Sequence, residues 1–259
     1  MATPDAGDGW LVCDAVPTGI CAGVTTTVGG ESLGAYAGNN MALHVGDDSR
    51  RVARNRARLG RRLGASRVQW LQQVHAAHCL RATQENPLNA PAADAVFTTE
   101  AHLALAILTA DCVPVLVWDD AAQIIGAAHA GWRGLQTGVL EQLLKQMQEA
   151  ADLPPSRLRA WIGPAIGVQR YEVGAEVWSH FTTLSGGCVL PHPHAPAHAA
   201  GKRLLDLSAV AAQLLQRGGC GRVYRSGLCT YDDLRFYSHR RAAGAPTGRM
   251  ASCIVLSRD

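Results

Sequence analysis

The sequence predicts a mixed α/β fold: one domain of largely antiparallel sheets flanked by helices. Three observations predict it. The apolar runs "LALAIL", "VPVLVW" and "QIIGAAH" have strand length and follow one another with short breaks. "GWRGLQTGVLEQLLKQMQEA" and "DLSAVAAQLLQRGG" instead repeat apolar residues at helical spacing. The connection "DDAA", Asp119 to Ala122, is too short for a parallel crossover, which needs about a dozen residues, so its flanking runs form an antiparallel hairpin.

In chain order, "GWLVC" and "ICAGVTTTVGG" read as short strands, and the Gly/Asn-rich "GESLGAYAGNNMALHVGDD" as a loop. Ser49 is placed to cap a helix over "RRVARNRARLGRRLG", with Val52, Leu59 and Leu63 as its apolar edge and its arginines facing solvent. "RVQWLQQVH" reads as a strand with Trp70 or Leu71 inward, "ENPLNAPAA" as a loop and "DAVFTT" as the start of another extended segment. After the three apolar runs, one helix covers "GWRGLQTGVLEQLLKQMQEA", with Leu135, Val139, Leu143 and Met147 four residues apart, and "DLPPS" stops it. "RLRAWIGPAIG" is a strand, "YEVGAEVWSHFTTL" looks helical, and "SGGCVLPHPHAPAHAAGK" reads as a surface loop. Gly218-Gly219 closes the helix "DLSAVAAQLLQRGG". "GRVYRSGLCTY" and "RMASCIVL" are the last strands. No repeat or linker divides residues 1–259, which read as a single domain.

Composition narrows the function. With 47% hydrophobic and 17% charged residues the chain has material for a large core. A net charge of +3 and 5% aromatics argue against nucleic-acid binding, and no apolar run approaches the ~20 residues of a membrane span. No secretion signal begins the chain, and its eight cysteines form no CxxC, so thiols in the cytoplasm are expected. No obligate protein partner is evident.

Asp111 and Cys112, in "TADCVPV", interrupt two buried runs. If Trp118 pairs with Gln123 across the hairpin, Cys112 falls opposite His129, with Cβ atoms roughly 4.5–5.5 Å apart. That spacing suits a thiolate and an imidazole sharing a metal; a one-residue slip or a bulge would turn one of them to the other face. "QQVHAAH" offers His75 and His78 as a third donor on opposite faces of a continuing strand, and His75 is the choice, being nearer the apolar segment. Two histidines and one cysteine resemble a catalytic zinc site with one open position, and copper accepts the same donors. A metal-free pair, Cys112 as nucleophile and His129 as base, is the rival. Asp111 is either a buried acceptor or a proton carrier at the site.

"LTADCVPVLVWD" and "AAHAGWRGL", together with "NNMALHVGDD", "RVARNR", "QVHAAH", "DAVFT", "WIGPAIG", "YEVGAEV", "LDL" and "FYSHRR…TGRM" in order, resemble the YfiH-like family, also called the laccase-domain or polyphenol-oxidase family. The resemblance covers nearly the whole chain and departs at Ala76, where members often carry Gly. It implies a mixed α/β fold shared with certain cysteine-dependent toxins, and metal ligands at His75, Cys112 and His129. Members were first described as copper polyphenol oxidases, others as zinc-containing purine nucleoside enzymes. The latter phosphorolyse adenosine, inosine and methylthioadenosine and deaminate adenosine. Removal of misincorporated amino acids from peptidoglycan precursors is also attributed to bacterial members. A binding protein with a metal but no turnover is the non-enzymatic reading.

Phosphorolysis brings purine nucleoside and inorganic phosphate together and needs cations for the phosphate. The sequence offers Arg133 in "GWRG" and His239 with Arg240 in "SHRR", which are otherwise a solvent-facing helix start and a charged loop. Asn40 is placed to bond a sugar or base, or to hold its own turn. A multicopper oxidase needs several histidine sites. Beyond the one coherent set, only His192, His194 and His198 cluster, in a Pro/Ala segment suited to adventitious metal. Nucleoside chemistry with zinc therefore ranks above copper oxidation.

Overall fold

The computed structural model describes residues 9–86, 89–184, 187–191 and 201–257. His192, His194 and His198, Pro87 and Leu88 of the "ENPLNAPAA" loop, and the first eight residues lie outside them. In chain order the elements are β1 (Trp10–Val12), β2 (Ile20–Thr25), α1 (Ser49–Arg62), β3 (Arg67–Gln69), β4 (Cys79–Arg81), β5 (Ala95–Thr98), β6 (Leu103–Thr109), β7 (Val113–Asp119) and β8 (Ile125–Ala130). There follow α2 (Trp132–Thr137), α3 (Val139–Ala151), β9 (Leu158–Ile162), β10 (Glu172–Val173), α4 (Ala175–Trp178), β11 (Val189–Pro191) and β12 (Arg203–Leu205). α5 (Leu207–Arg217), β13 (Arg222–Arg225), α6 (His239–Ala242) and β14 (Met250–Leu256) complete the series.

Two large sheets carry the fold. The first runs β1-β2-β14-β6-β3, the second β13-β9-β7-β8-β5-β4, and a small third sheet runs β10-β12-β11. Pairing is antiparallel except at β3–β6, β4–β5 and β9–β13. Alternation along the strands explains the layering. Leu103, Leu105 and Ile107 of β6 point from the first sheet onto Leu116, Trp118 and Ile125 of the second. Ala104, Ala106 and Leu108 point the other way, onto Leu59 and Leu63. Val113, Val115 and Val117 face α3 and α5 through Leu140, Leu143 and Val210. The layers are therefore helix, sheet, sheet, helices, and buried strands read as continuous apolar runs because both faces are covered.

Several expectations change in detail. Asp48, not Ser49, caps α1, its carboxylate accepting from the Arg50 and Arg51 amides. Arg56 leaves the solvent face of α1 and lies 3.8 Å over the Trp70 ring, while Leu71 is the inward residue of that segment. The strand expected over "RVQWLQQVH" ends at Gln69, and the histidines follow in a loop. The long helix breaks into α2 and α3 at Gly138, whose φ of 88° is open to glycine. "YEVGAEVWSHFTTL" opens with β10 before its helix, and "VLP" is β11 rather than loop.

The hairpin register also differs. Trp118 pairs with Ile125 rather than Gln123, so Pro114, not Cys112, stands opposite His129. The Asp119 carboxylate causes the longer turn, accepting from the amides of Ala121, Gln123 and Ile124. A two-residue slip preserves the side-chain face, so Cys112 and His129 remain on the same side.

Candidate metal centre and its cavity

The stretch that interrupts the two apolar runs is where the chain changes sheets. β6 belongs to the first sheet and β7 to the second, and Ala110, Asp111 and Cys112 span the bend between them. Asp111 adopts φ of 97°, a costly conformation for a residue with a Cβ. Three contacts hold it: its carboxylate accepts from the Thr230 hydroxyl and the Arg240 amide, each at 2.6 Å, and its carbonyl accepts from Ile166. Cys112 is thereby turned toward the end of β8. Gly131 follows β8, and a Cβ there would stand 3.2 Å from both Cys112 Sγ and His75 Cδ2. Only glycine leaves that approach unobstructed.

Asp94, at the start of β5 and fully buried, organises the two histidines. Its carboxylate accepts from the amides of Val74, His75 and Ala76 and meets His129 Nδ1 at 2.8 Å. The first set fixes the loop that carries His75 at φ of 59°. The second leaves His129 Nε2 to face Cys112. Burial alone would raise the Asp94 carboxyl, but the His129 hydrogen bond and the amides bring it below the ordinary range.

The donor atoms of His75, Cys112 and His129 all lie within 4.8 Å of one another, and the two rings meet edge-on at 4.7 Å. Burial by itself would raise the Cys112 thiol; the charge and hydrogen bonds of His129, joined by His75, bring it down to about 6. Burial opposes charge on His129 too, but Cys112 and Asp94 raise it to about 9. A thiolate flanked by two imidazoles is a donor set that fits zinc or copper, and the thiolate form that binds metal is already favoured.

The cluster forms one side of a cavity of about 250 Å³, completed by His44, Gln73, Leu108, Thr109, Ala110, His239 and Arg249. Of the residues expected from sequence, the structure brings His75, Cys112, His129 and His239 to this cavity. Asp111 stands behind it, its carboxylate occupied. Arg133 is exposed and lies 4.3 Å over the Trp132 ring, outside the cavity wall. Arg240 lies over Tyr171 and bonds the Arg170 and Glu172 carbonyls. Asn40 is fully buried: its amide bonds the Ala42 carbonyl and Asp47, and its oxygen accepts from the amides of Ala42 and Arg249. It holds its own turn, and Arg249, rather than touching the cavity.

Sequence reasoning missed Asp94, His44, Gln73 and Arg249. Each lies inside a string that carries the family resemblance, namely "DAVFT", "LHVGDD", "QVH" and "TGRM". Nothing in their local spacing connects them, because four separate segments deliver them to one place.

Fold and site together define a mixed α/β protein with a His/His/Cys metal-type centre in a cavity at the sheet ends. Residues 21–257 match the family described as "Multi-copper polyphenol oxidoreductase laccase". The chain is 38% identical over 249 residues to a protein of Pseudomonas aeruginosa named purine nucleoside phosphorylase, covering 95% of this chain and 98% of that one. It is 38% identical to purine nucleoside phosphorylase YfiH of Escherichia coli, covering 93% and 95% of the two chains. The crystal structure of a Neisseria meningitidis protein superposes with a TM-score of 0.88 at 37% identity, covering 97% of this chain and all 100% of that one. The chain belongs to the YfiH-like, or laccase-domain, family.

Proposed function

We propose that this protein is a zinc-dependent purine nucleoside phosphorylase acting on adenosine, inosine and methylthioadenosine, with adenosine deaminase activity. The observation that carries this reading is a His75/Cys112/His129 donor set facing a cavity, in a chain 38% identical over nearly its full length to proteins named for that activity. His75, Cys112 and His129 would hold the zinc, which when bound supplies Lewis-acid polarisation and an acidified water. In phosphorolysis a phosphate oxygen bonds to ribose C1′, the bond from C1′ to the base nitrogen breaks, and the base leaves with a proton. His239, at the cavity wall, is the group placed to move that proton. Asp111 acts from behind: held by Thr230 and Arg240, it fixes the bend that presents Cys112. Asp94 orients His129 and the His75 loop, which keeps the donors in place without rearrangement.

This reading treats the chain as one catalytic unit in the cytoplasm, where its eight cysteines stay thiols. Among the described residues no helix is long and apolar enough to cross a membrane. The test is to incubate metal-free and zinc-loaded protein with each nucleoside, with and without inorganic phosphate. Free base and ribose 1-phosphate should form only with phosphate and metal, and inosine should form from adenosine without phosphate. If no base is released with phosphate present, phosphorolysis is wrong.

One observation favours a second reading. The lowered Cys112 thiol and raised His129 also describe a thiolate–imidazolium pair, as in a cysteine hydrolase acting on a peptidoglycan precursor. That reading predicts activity abolished by Cys112 alkylation and untouched by chelators. Copper polyphenol oxidation, after which the family is described, predicts oxygen uptake that needs stoichiometric bound copper.

A further inference from the structure

A second cavity, of about 500 Å³, adjoins the first, and His44, Gln73 and Leu108 line both. Arg249 stands in the wall of the first and Arg56 in the wall of the second. Both guanidiniums are tethered in a way that leaves donors free. Arg249 Nη1 donates to the Thr247 and Gly248 carbonyls, and Arg56 Nε donates to the Met41 carbonyl. Among the described residues the other guanidinium nitrogens have no hydrogen-bond partner, no carboxylate lies within ion-pair distance of either arginine, and the His44 ring has no partner. Gln73 takes no ligand role, because its amide is engaged with both backbone groups of Leu108.

A half-buried cation without a counter-charge is costly, and the cost falls away when an anion binds. Burial is the first cause of the shift at each of the three groups. Burial lowers the Arg56 guanidinium to about 10, against the charge of Cys253, and lowers Arg249 as well, against the charges of Cys112, Asp111 and Tyr36. Burial, then Arg249, then Arg56 lower His44, which places the imidazole within the field of both. Arg56 also lies over a ring, that of Trp70, but it stands in the cavity wall, whereas Arg133 and Arg240 lie over Trp132 and Tyr171 outside both cavities.

We propose that Arg249, His44 and Arg56 form the seat of the inorganic phosphate co-substrate, bridging the two cavities beside the metal cluster. The planar forks of two arginines suit a tetrahedral dianion, and the seat opens on the same space as Cys112 and His239, where ribose C1′ would have to stand. This rests on the phosphorolysis reading for its role, but not for its binding. The remaining part of the second cavity, walled by Leu43, Trp70 and Leu71, is apolar and aromatic, the surface a purine ring requires.

The test uses the full-length, zinc-loaded protein and two measurements. Calorimetric titration with inorganic phosphate should show binding to the parent protein that weakens about tenfold or more in Arg249→Gln and in Arg56→Gln. Arg249→Lys should retain part of the affinity, and Lys145→Gln, on the exposed face of α3, should retain all of it. Steady-state kinetics should show the KM for phosphate rising by the same factor while the KM for nucleoside changes less than about threefold. Circular dichroism checks that each variant folds; the Arg249 side chain bonds only neighbouring carbonyls, so its variant tests the site even if Arg56→Gln does not fold. Unchanged phosphate affinity and KM in Arg249→Gln would overturn the seat while phosphorolysis stands. Phosphate binding that depends on Arg249, in a protein that cleaves no nucleoside, would leave the seat standing and overturn the phosphorolysis reading. Adenosine 5′-monophosphate competing with phosphate, and cleaved in its absence, would assign the seat to a substrate phosphoryl group and overturn the co-substrate assignment.

Discussion

The two sides of the cavity are built on opposite principles. On the cluster side the polar groups are provided for: Asp94 accepts four donors, Asp111 accepts two, and Cys112 sits between two imidazoles. On the other side Arg249, Arg56 and His44 carry free donors and no carboxylate within ion-pair distance among the described residues. The first is pre-organised within the protein; the second is completed by what binds. A site of this form separates holding from choosing, since the cluster fixes geometry before any ligand arrives and the cations select an anion when one does.

The sharpest way to break that comparison is Asp94→Ala. It leaves three backbone amides and the buried His129 ring without their acceptor, so the protein should lose about 3 kcal/mol or more in denaturant unfolding. Metal affinity should fall roughly 10–100-fold through loss of the orienting carboxylate. A variant as stable and as metal-rich as the parent would mean that the cluster does not depend on its support. Next comes the thiol. In metal-free protein, iodoacetamide should modify Cys112 at a rate that reaches half its plateau near pH 6, against about 9 for an ordinary cysteine. The sign follows from the protonation state: the thiolate persists at neutral pH and the rate falls only as pH drops through about 6. A midpoint near pH 9 would remove the imidazole stabilisation from the picture.

Asn40→Ala tests whether the cationic side also leans on the fold. It removes a buried amide that holds its own turn and the Arg249 backbone, and should cost about 2 kcal/mol in unfolding. The nucleoside KM should move less than the phosphate KM, since Arg249 is the group displaced. The smallest expected effect is that of Thr230→Val, which removes one hydroxyl donor to Asp111 and should cost about 1 kcal/mol. A much larger loss, with metal content falling, would show that the strained bend relies on that one bond.

Some of this was legible in the sequence and some was not, for identifiable reasons. β6, β7 and β8 were legible because both faces of each are covered, so the apolar runs are unbroken. The hairpin register was not, because a side chain, Asp119, sets the turn length, and spacing rules see only backbone. Cys112 and His129 still came out on one side because the slip was even. His75 was chosen over His78 on a strand argument, whereas a loop held by Asp94 is what delivers it. Asp94 itself read as the first residue of "DAVFTT", since nothing local distinguishes a strand-opening aspartate from a buried organiser. Arg133 and Arg240 looked suited to phosphate because both sit in conspicuous strings. Arg249 and Arg56 were passed over because a cavity assembled from α1, its preceding loop and the start of β14 has no signature along the chain.

The position of β14 bears on how the protein is made. β14 lies between β2 and β6, and Arg249 precedes its first residue. Translation runs from the N-terminus, so β2 and β6 leave the ribosome well before the strand that joins them. Until β14 arrives, both present unpaired edges, and the cavity lacks its arginine wall. The nascent chain therefore holds two sticky edges and an unfinished cavity through much of its synthesis, a period in which a chaperone would find its natural target.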